Sequence, residues 1–291
     1  MVLNQYHRYE ERVLTQEKFP DNLKEIPDAP DKLYIKGALP DTAHQFLTVV
    51  GARRYSDYGR SVCEKLIAGL RGYPIVIVSG LALGIDTFAH RAALAAKLPT
   101  VAIPGSGLGV EALYPKSNHG LAEMILVRGG ALISEFKSGF KATPWSFPQR
   151  NRIMAGIGHA VLVVEAEKKS GTLITSRLAT DYNREVLTIP GSIFSKTSEG
   201  PFMLIRLGAT PVATSGDIIE ALGIEAKTPA REALKNVSKA EQKILYLIRE
   251  PITRDQLIEQ SGLPLHEAQV LISRMEINGI IEERLGTISI R

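Results

Sequence analysis

From Phe46 onward the chain alternates between short runs of β-branched and other apolar residues and longer stretches whose apolar positions recur at helical spacing. The short runs fall at residues 47–50, 75–78, 100–103, 131–133, 160–164, 186–189 and 210–212. Between them, residues 58–70, 86–97, 117–127, 150–157, 171–182 and 201–207 carry the helical pattern. The runs are apolar at consecutive positions, so each strand is covered on both faces, as in a mainly parallel sheet between two layers of helices. The pattern predicts an α/β fold: an extended Rossmann-like, doubly wound, mainly parallel sheet over residues 43–224, plus a small C-terminal domain.

The ends of the chain break this rhythm. Residues 1–42 carry Pro20, Pro27, Pro30 and Pro40, which interrupt any helical period and predict an irregular or short-helical lead-in. Periodicity fades again over residues 225–236, which read as a linker. Beyond it, residues 237–291 form a second unit. Ser238 and Glu241 fit a capping box ahead of Ile244, Leu245, Leu247 and Ile248. Pro251 stops that helix, Thr253 begins the next, and a third runs over residues 265–278 to Gly279. Residues 280–283 and 287–290, around Gly286, read as a two-stranded wing. Three helices and a terminal hairpin make a winged helix-turn-helix whose third helix is the expected reader of a DNA groove. That helix turns His266, Gln269, Ser273 and Arg274 outward beside Glu267 and Glu276. With so little positive charge, it fits either duplex DNA or a docked protein partner.

A length of 291 residues suits about two domains. The longest apolar runs are strand-sized, so no membrane-spanning helix is predicted. Arg8, Glu10, Glu11 and Arg12 stand where a secretory signal would need apolar residues, which predicts a cytoplasmic protein. The single cysteine, Cys63, excludes an intrachain disulfide and a zinc site of several thiolates; no metal or cofactor is predicted. Net charge is only +4, but its distribution is uneven. Residues 136–164 hold Lys137, Lys141, Arg150 and Arg152 and no Asp or Glu. Such an unneutralised stretch can present several phosphate-seeking groups together.

A doubly wound sheet binds ligands where the carboxyl ends of its strands open into helix N-termini. There the chain places Gly51-Ala52-Arg53-Arg54, Ser79-Gly80 onward through Gly84 to Asp86, Gly105-Ser106-Gly107, Ser170-Gly171-Thr172 and Pro190-Gly191. Glycine and small hydroxyl residues let backbone N–H groups approach phosphate oxygens, helped by the positive ends of helices. Any one of these motifs could serve only a tight turn. Taken together with Arg53, Arg54, Arg150 and Arg152, they point to phosphate recognition. The segment from Thr143 to Ile153 adds Trp145 and Phe147 beside Arg150, Asn151 and Arg152. Planar rings, cations and an amide are what single-stranded nucleic acid requires. The alternative is aromatics packed beneath a loop and arginines paired with acids at the sheet edge.

These motifs, in this order, resemble the bacterial DNA-processing family DprA, also called Smf. The likeness covers roughly residues 20–222 and rests on Val50-Gly51-Ala52-Arg53, Ser79-Gly80 to Asp86 with Ala89-His90, Tyr114-Pro115, Ser134-Glu135, Phe147 through Ile153, Glu165-Ala166 with Ser170-Gly171-Thr172, and Pro190-Gly191. The winged helix looks like the extra module that many members carry. The resemblance implies a homodimeric Rossmann domain that binds single-stranded DNA and loads the recombinase RecA onto it in natural transformation, without a turnover reaction. By that likeness Arg53 holds a backbone phosphate beside the Gly51 turn, Phe147 contacts a base, and Arg150, Asn151 and Arg152 shape the pocket. Ser170, Gly171 and Thr172 present a further helix N-terminus. Members often carry a lysine three residues before the phenylalanine, where this chain has Pro144. Either Lys141 or Lys137 takes that phosphate, or affinity is lower. A sterile-alpha-like helical domain found in some members is not expected, since only about forty residues precede the sheet.

Two other readings compete. Nucleotide phosphoribohydrolases of similar fold use a glutamate in a Gly-Gly-x-Gly-Thr-x-x-Glu motif, and here the matching position is Thr175. A winged-helix regulator that senses a nucleotide through its Rossmann unit is the other. Asp86 and His90, at i and i+4, could form an acid–base pair; the simpler expectation is a capping aspartate and a packed histidine.

Overall fold

The computed structural model describes residues 5–41, 43–225, 238–248, 252–277, 280–284 and 286–290. The chain divides into two compact units, residues 1–224 and 225–291. Most of the expected linker, residues 226–236, lies outside the described residues.

In the larger unit each strand-sized apolar run becomes a parallel strand: β3 (Gln45–Val50), β4 (Ile75–Ser79), β5 (Thr100–Ala102), β6 (Ala131–Ser134), β7 (Ala160–Val163), β8 (Glu185–Thr188) and β9 (Thr210–Pro211). The helices between them are α2 (Asp57–Ala68), α3 (Ile85–Ala95), α4 (His119–Val127), α5 (Ser146–Ile157), α6 (Thr172–Asp181) and α7 (Glu199–Arg206). One more, α8 (Ser215–Ala221), starts at a capping box in which Thr214 accepts from the Asp217 N–H. Thr214 and Asp217 satisfy end groups that would otherwise lack partners.

With β1 (Arg12–Thr15) and β2 (Lys32–Gly37) at one edge, the order of strands across the sheet is β1-β2-β6-β5-β4-β3-β7-β8-β9. From β3 the chain winds outward through β4, β5 and β6, then returns to the other side of β3 and continues through β7, β8 and β9. The reversal between β3 and β7 is a topological switch point, where a crevice opens outside the carboxyl ends of the strands. Alternate residues of each strand enter different cores. Leu47 and Val49 pack with Leu66, Ile67 and Phe88 of α2 and α3, whereas Phe46 and Val50 pack with Ile153, Met154 and Ile157 of α5. Period-2 alternation between two apolar layers is what makes these runs apolar throughout. Cys63 is fully buried in the first layer, and burial pushes its thiol up to about 12.

The amino-terminal residues differ from the expected lead-in. After a 3-10 turn at Tyr6–Arg8, they supply β1 (Arg12–Thr15), a single helical turn α1 (Asp21–Lys24) and β2 (Lys32–Gly37). β1 pairs antiparallel with β2, and β2 pairs antiparallel with β6, Ile35 opposite Ile133. Residues 12–37 thus extend the sheet and cover the β6 edge, while Phe19, Leu23, Ile26 and Leu33 enter the same core layer as α5.

The smaller unit holds α9 (Lys239–Leu247), β10 (Ile252–Thr253), α10 (Arg254–Ser261), α11 (Leu265–Ile277), β11 (Ile281–Arg284) and β12 (Thr287–Ile290). Ser238 and Glu241 form the reciprocal capping box read from the sequence, Thr253 and Gln256 form a second one, and Gly262 ends α10 at φ +65°. The wing gains a strand: β10 pairs with β12, which pairs with β11. Ile244, Leu257, Ile272, Met275 and Ile288 close its core.

Candidate nucleic-acid interface

The loops after β3, β4, β5 and β7 meet at the switch point. The first of them, residues 51–55, is pressed onto the start of α3. A Cβ on Gly51 would stand 2.6 Å from Ile85 Cγ1, and one on Gly84, at φ +81°, would stand 2.3 Å from the Ala52 carbonyl oxygen. Only glycine fits both places, so the β3 and β4 loops interlock and Arg53 is carried to the rim.

The opposite wall is the start of α5. Ser146 Oγ donates to the Gly105 carbonyl at 2.6 Å and accepts from the Thr143 N–H at 3.0 Å, which pins the helix to the loop after β5. Phe147 then lies over Gly105, whose added Cβ would meet its ring at 2.6 Å. The Arg53 guanidinium stands 5.0 Å from the centre of that ring, within cation–π range. Tyr114 approaches the same ring at 6.0 Å and is 46% exposed. Arg53 and Arg54 are exposed, and neither has an ion pair or hydrogen bond among the described residues.

Arg150 occupies the floor. It is buried, donates through Nη1 to the Ile103 carbonyl, and lies where a Cβ on Gly80 would be. Burial lowers its pKa to about 10 against the pull of Asp86. Asp86 accepts from the Gly80 N–H at 3.0 Å and the Ala82 N–H at 3.4 Å. Burial raises its carboxyl, opposed by Arg150, those two N–H groups and Arg53. His90, fully buried, meets Thr100 Oγ1 at 2.7 Å, and burial lowers it to about 3. Each of the two side chains is therefore engaged with a different strand end, and they do not form an acid–base couple with each other.

The third wall is residues 167–172. Thr172 donates its N–H to Ser170 Oγ at 3.2 Å, and Asn151 Nδ2 reaches the Gly171 carbonyl at 3.4 Å. Gly171 is the N-cap of α6 and has no side-chain cap. The next N–H groups are taken as well, Leu173 by the Ser170 carbonyl and Ile174 by the Gly171 carbonyl, each at 3.1 Å, so what the helix adds to the crevice is the positive end of its dipole. The resulting cavity of about 380 Å³ is lined by Arg53, Arg54, Arg150 and Lys169 against Asp86 and Glu167, four cations to two carboxylates. Thr175, where the hydrolase motif needs a glutamate, also lines it.

Of the residues singled out from the sequence, Gly51, Arg53, Arg54, Phe147, Arg150, Asn151, Ser170, Gly171 and Thr172 line this cavity, with Gly80, Gly84 and Gly105 shaping it from behind. Three do not line it. Ser79 is buried and donates to the Val49 carbonyl at 2.7 Å, a link between strands. Lys141 is exposed and does not line the cavity. Arg152 is paired with Glu135 and, at 3.6 Å, with Asp28. At 100° per residue, two positions separate side chains by about 200° on a helix, so Arg150 and Arg152 must face opposite ways. Lys169 and Tyr114 were not picked out as site residues. Tyr114-Pro115 carried a signal as a motif, whereas Lys169 had only its place beside Ser170.

In the smaller unit two arginines are paired, while Lys239 and Lys243 are exposed. Arg274 meets Glu241 at 3.0 Å, and Arg254 meets Glu276 at 2.6 Å and Glu283 at 3.0 Å.

Comparison with known proteins joins the two units. Residues 12–223 match the family model for DNA recombination-mediator protein A, and residues 225–286 match that for the DprA winged helix domain. The chain belongs to the DprA/Smf family. Protein Smf of Escherichia coli K12 is 37% identical over 279 residues, covering 91% of this chain and 73% of that protein. The DNA processing protein DprA of Streptococcus pneumoniae R6 is 43% identical over 201 residues, 69% of this chain and 70% of that one. Among solved structures, DprA of Streptococcus pneumoniae superposes with a TM-score of 0.66 at 37% identity, over 74% of this chain and 75% of that one. The Helicobacter pylori DprA structure, described for its single-stranded DNA binding mode, gives 0.65 at 27% identity over 76% and 98%. Membership places the chain among DNA-processing recombination mediators, and the sheet and winged helix agree with the DprA architecture.

Proposed function

We propose that this protein is a non-enzymatic single-strand DNA binder that protects incoming strands and loads RecA onto them during natural transformation, acting in the cytoplasm as a homodimer. The observation that carries the reading is the switch-point crevice, where Arg53 lies against Phe147 over an arginine floor and beside the N-terminus of α6. A phosphate enters between Arg53, Lys169 and the positive end of α6, and an unstacked base rests on Phe147. Tyr114 adds a second ring to that platform. Nothing in this arrangement reads base edges, so binding is independent of sequence. Family membership and the single-strand binding mode described for the Helicobacter relative support the reading.

The test is anisotropy of a labelled oligothymidylate with the full chain across a salt series. The single strand is expected to bind in preference to duplex, with affinity falling as salt rises. Arg53→Ala should weaken binding roughly 10-fold and flatten the log–log salt slope by about 0.7, the share of one phosphate contact on a single strand. Unchanged affinity and slope in that variant would remove the crevice as the binding site.

A further inference from the structure

The loop after β8 lies beside the crevice and takes no part in it. We propose that residues 192–196 form a second platform for the same strand, on which a base stacks on Phe194 while Lys196 meets the neighbouring phosphate; this rests on the single-strand reading above. Phe194 is 92% exposed and Ile193 79%, two large apolar side chains presented to water side by side. The loop that carries them is built. Phe194 donates its N–H to Ser192 Oγ at 3.2 Å, Ser195 N–H reaches the Ser192 carbonyl at 3.0 Å, and the Ser195 and Thr197 hydroxyls lie 2.9 Å apart.

The loop is also fastened to the binding edge. The buried Glu165 carboxylate accepts from Thr197 Oγ1 at 2.8 Å and from Ser56 through both its N–H, at 2.9 Å, and its hydroxyl. Tyr58, two residues on, donates its hydroxyl to the Pro190 carbonyl at 2.7 Å. Ser56 closes the loop that bears Arg53 and Arg54, so one carboxylate holds that loop and the one after β8 in register. β8 pairs with β7 and β7 with β3. At about 4.8 Å per strand, the two loops arise roughly 10 Å apart along the same edge. A strand leaving the Arg53 phosphate site toward β8 therefore reaches Phe194.

The local chemistry favours a nucleic acid as occupant. Residues 186–198 contain Lys196 and no Asp or Glu. A ring so exposed offers its face to any base, which is the sequence-tolerant contact that single-strand binders use.

Length dependence separates this platform from the crevice. With oligothymidylates of about two and about twenty nucleotides, the shorter too short to span the two loops, Phe194→Ala in the full chain is expected to weaken the long strand roughly 5- to 100-fold and leave the short one unchanged. Phe194→Leu, which keeps apolar bulk and loses the ring, should behave like Phe194→Ala, and Phe194→Trp should retain affinity. Arg53→Ala should weaken both lengths. If Phe194→Ala leaves both lengths unchanged while Arg53→Ala weakens both, the platform is wrong and the crevice stands. Full affinity in Phe194→Leu would overturn stacking. A change in oligomeric mass on Phe194→Ala, with affinity unchanged, would make the loop a protein contact and overturn the proposal. Failure of the unsubstituted chain to bind either length would overturn both readings.

Discussion

Arg150 and Arg152 show how two identical residues, two positions apart, acquire unrelated roles. Arg152 is spent on Glu135 and Asp28. Arg150 faces the buried Asp86 beneath the crevice. Removing Arg150 leaves the buried Ile103 carbonyl without that donor and Asp86 without a nearby cation, at a cost of about 1–3 kcal/mol. Arg150→Met is therefore expected to lower unfolding stability by that order in urea titration, and adding Asp86→Asn should recover part of the loss. A single variant as stable as the parent would mean that Arg150 is a free ligand rather than the floor. The sequence offered both arginines as equal candidates, because their acids sit on distant segments. Helix phase alone could have separated them. Lys169 was harder to find, since nothing in its neighbours distinguishes a rim lysine from a solvated one.

At the scale of elements, the start of α5 is placed by the loop after β5, and Gly105 sets the height of the Phe147 ring. Gly105→Ala should push the half-buried ring off Arg53 without breaking the fold. Single-strand affinity is expected to fall roughly 5- to 100-fold, with a thermal midpoint lower by only a few degrees. Equal affinity would show that the ring does not carry a base. β3 to β7 were legible because each is apolar on both faces, a pattern that loops do not imitate, whereas β8 and β9, partly exposed toward the sheet edge, were read from short apolar runs. β1 and β2 were not legible. In β2 the alternation amounts to Leu33 and Ile35 between Pro30 and Pro40, too brief to outweigh the prolines. What makes it a strand is its partner β6, about a hundred residues away in the chain. The small β10 escaped notice for the same reason, since two residues have no period of their own.

For the whole molecule, the crevice is lined entirely by residues of the larger unit. The winged helix, by contrast, has Arg254 and Arg274 held by Glu276, Glu283 and Glu241. A chain ending at Ile224 is accordingly expected to keep single-strand affinity within about twofold of the full chain, with the same salt slope, by anisotropy. A large loss, or a slope reduced by one contact or more, would assign phosphate contacts to the winged helix. Periodicity fades after residue 224, where the chain divides into its two compact units, whereas the pairing of Arg254 and Arg274 is visible only in the fold. The order of the sheet has one more consequence, for handling the protein. β1 is five strands from β3, about 24 Å at ordinary strand spacing. A fluorophore carried at an exposed position of β1 such as Val13 would stand clear of the bound strand, whereas one joined ahead of β1 would not, because the chain there folds back and the Tyr6 hydroxyl donates to the Leu108 carbonyl of the loop after β5.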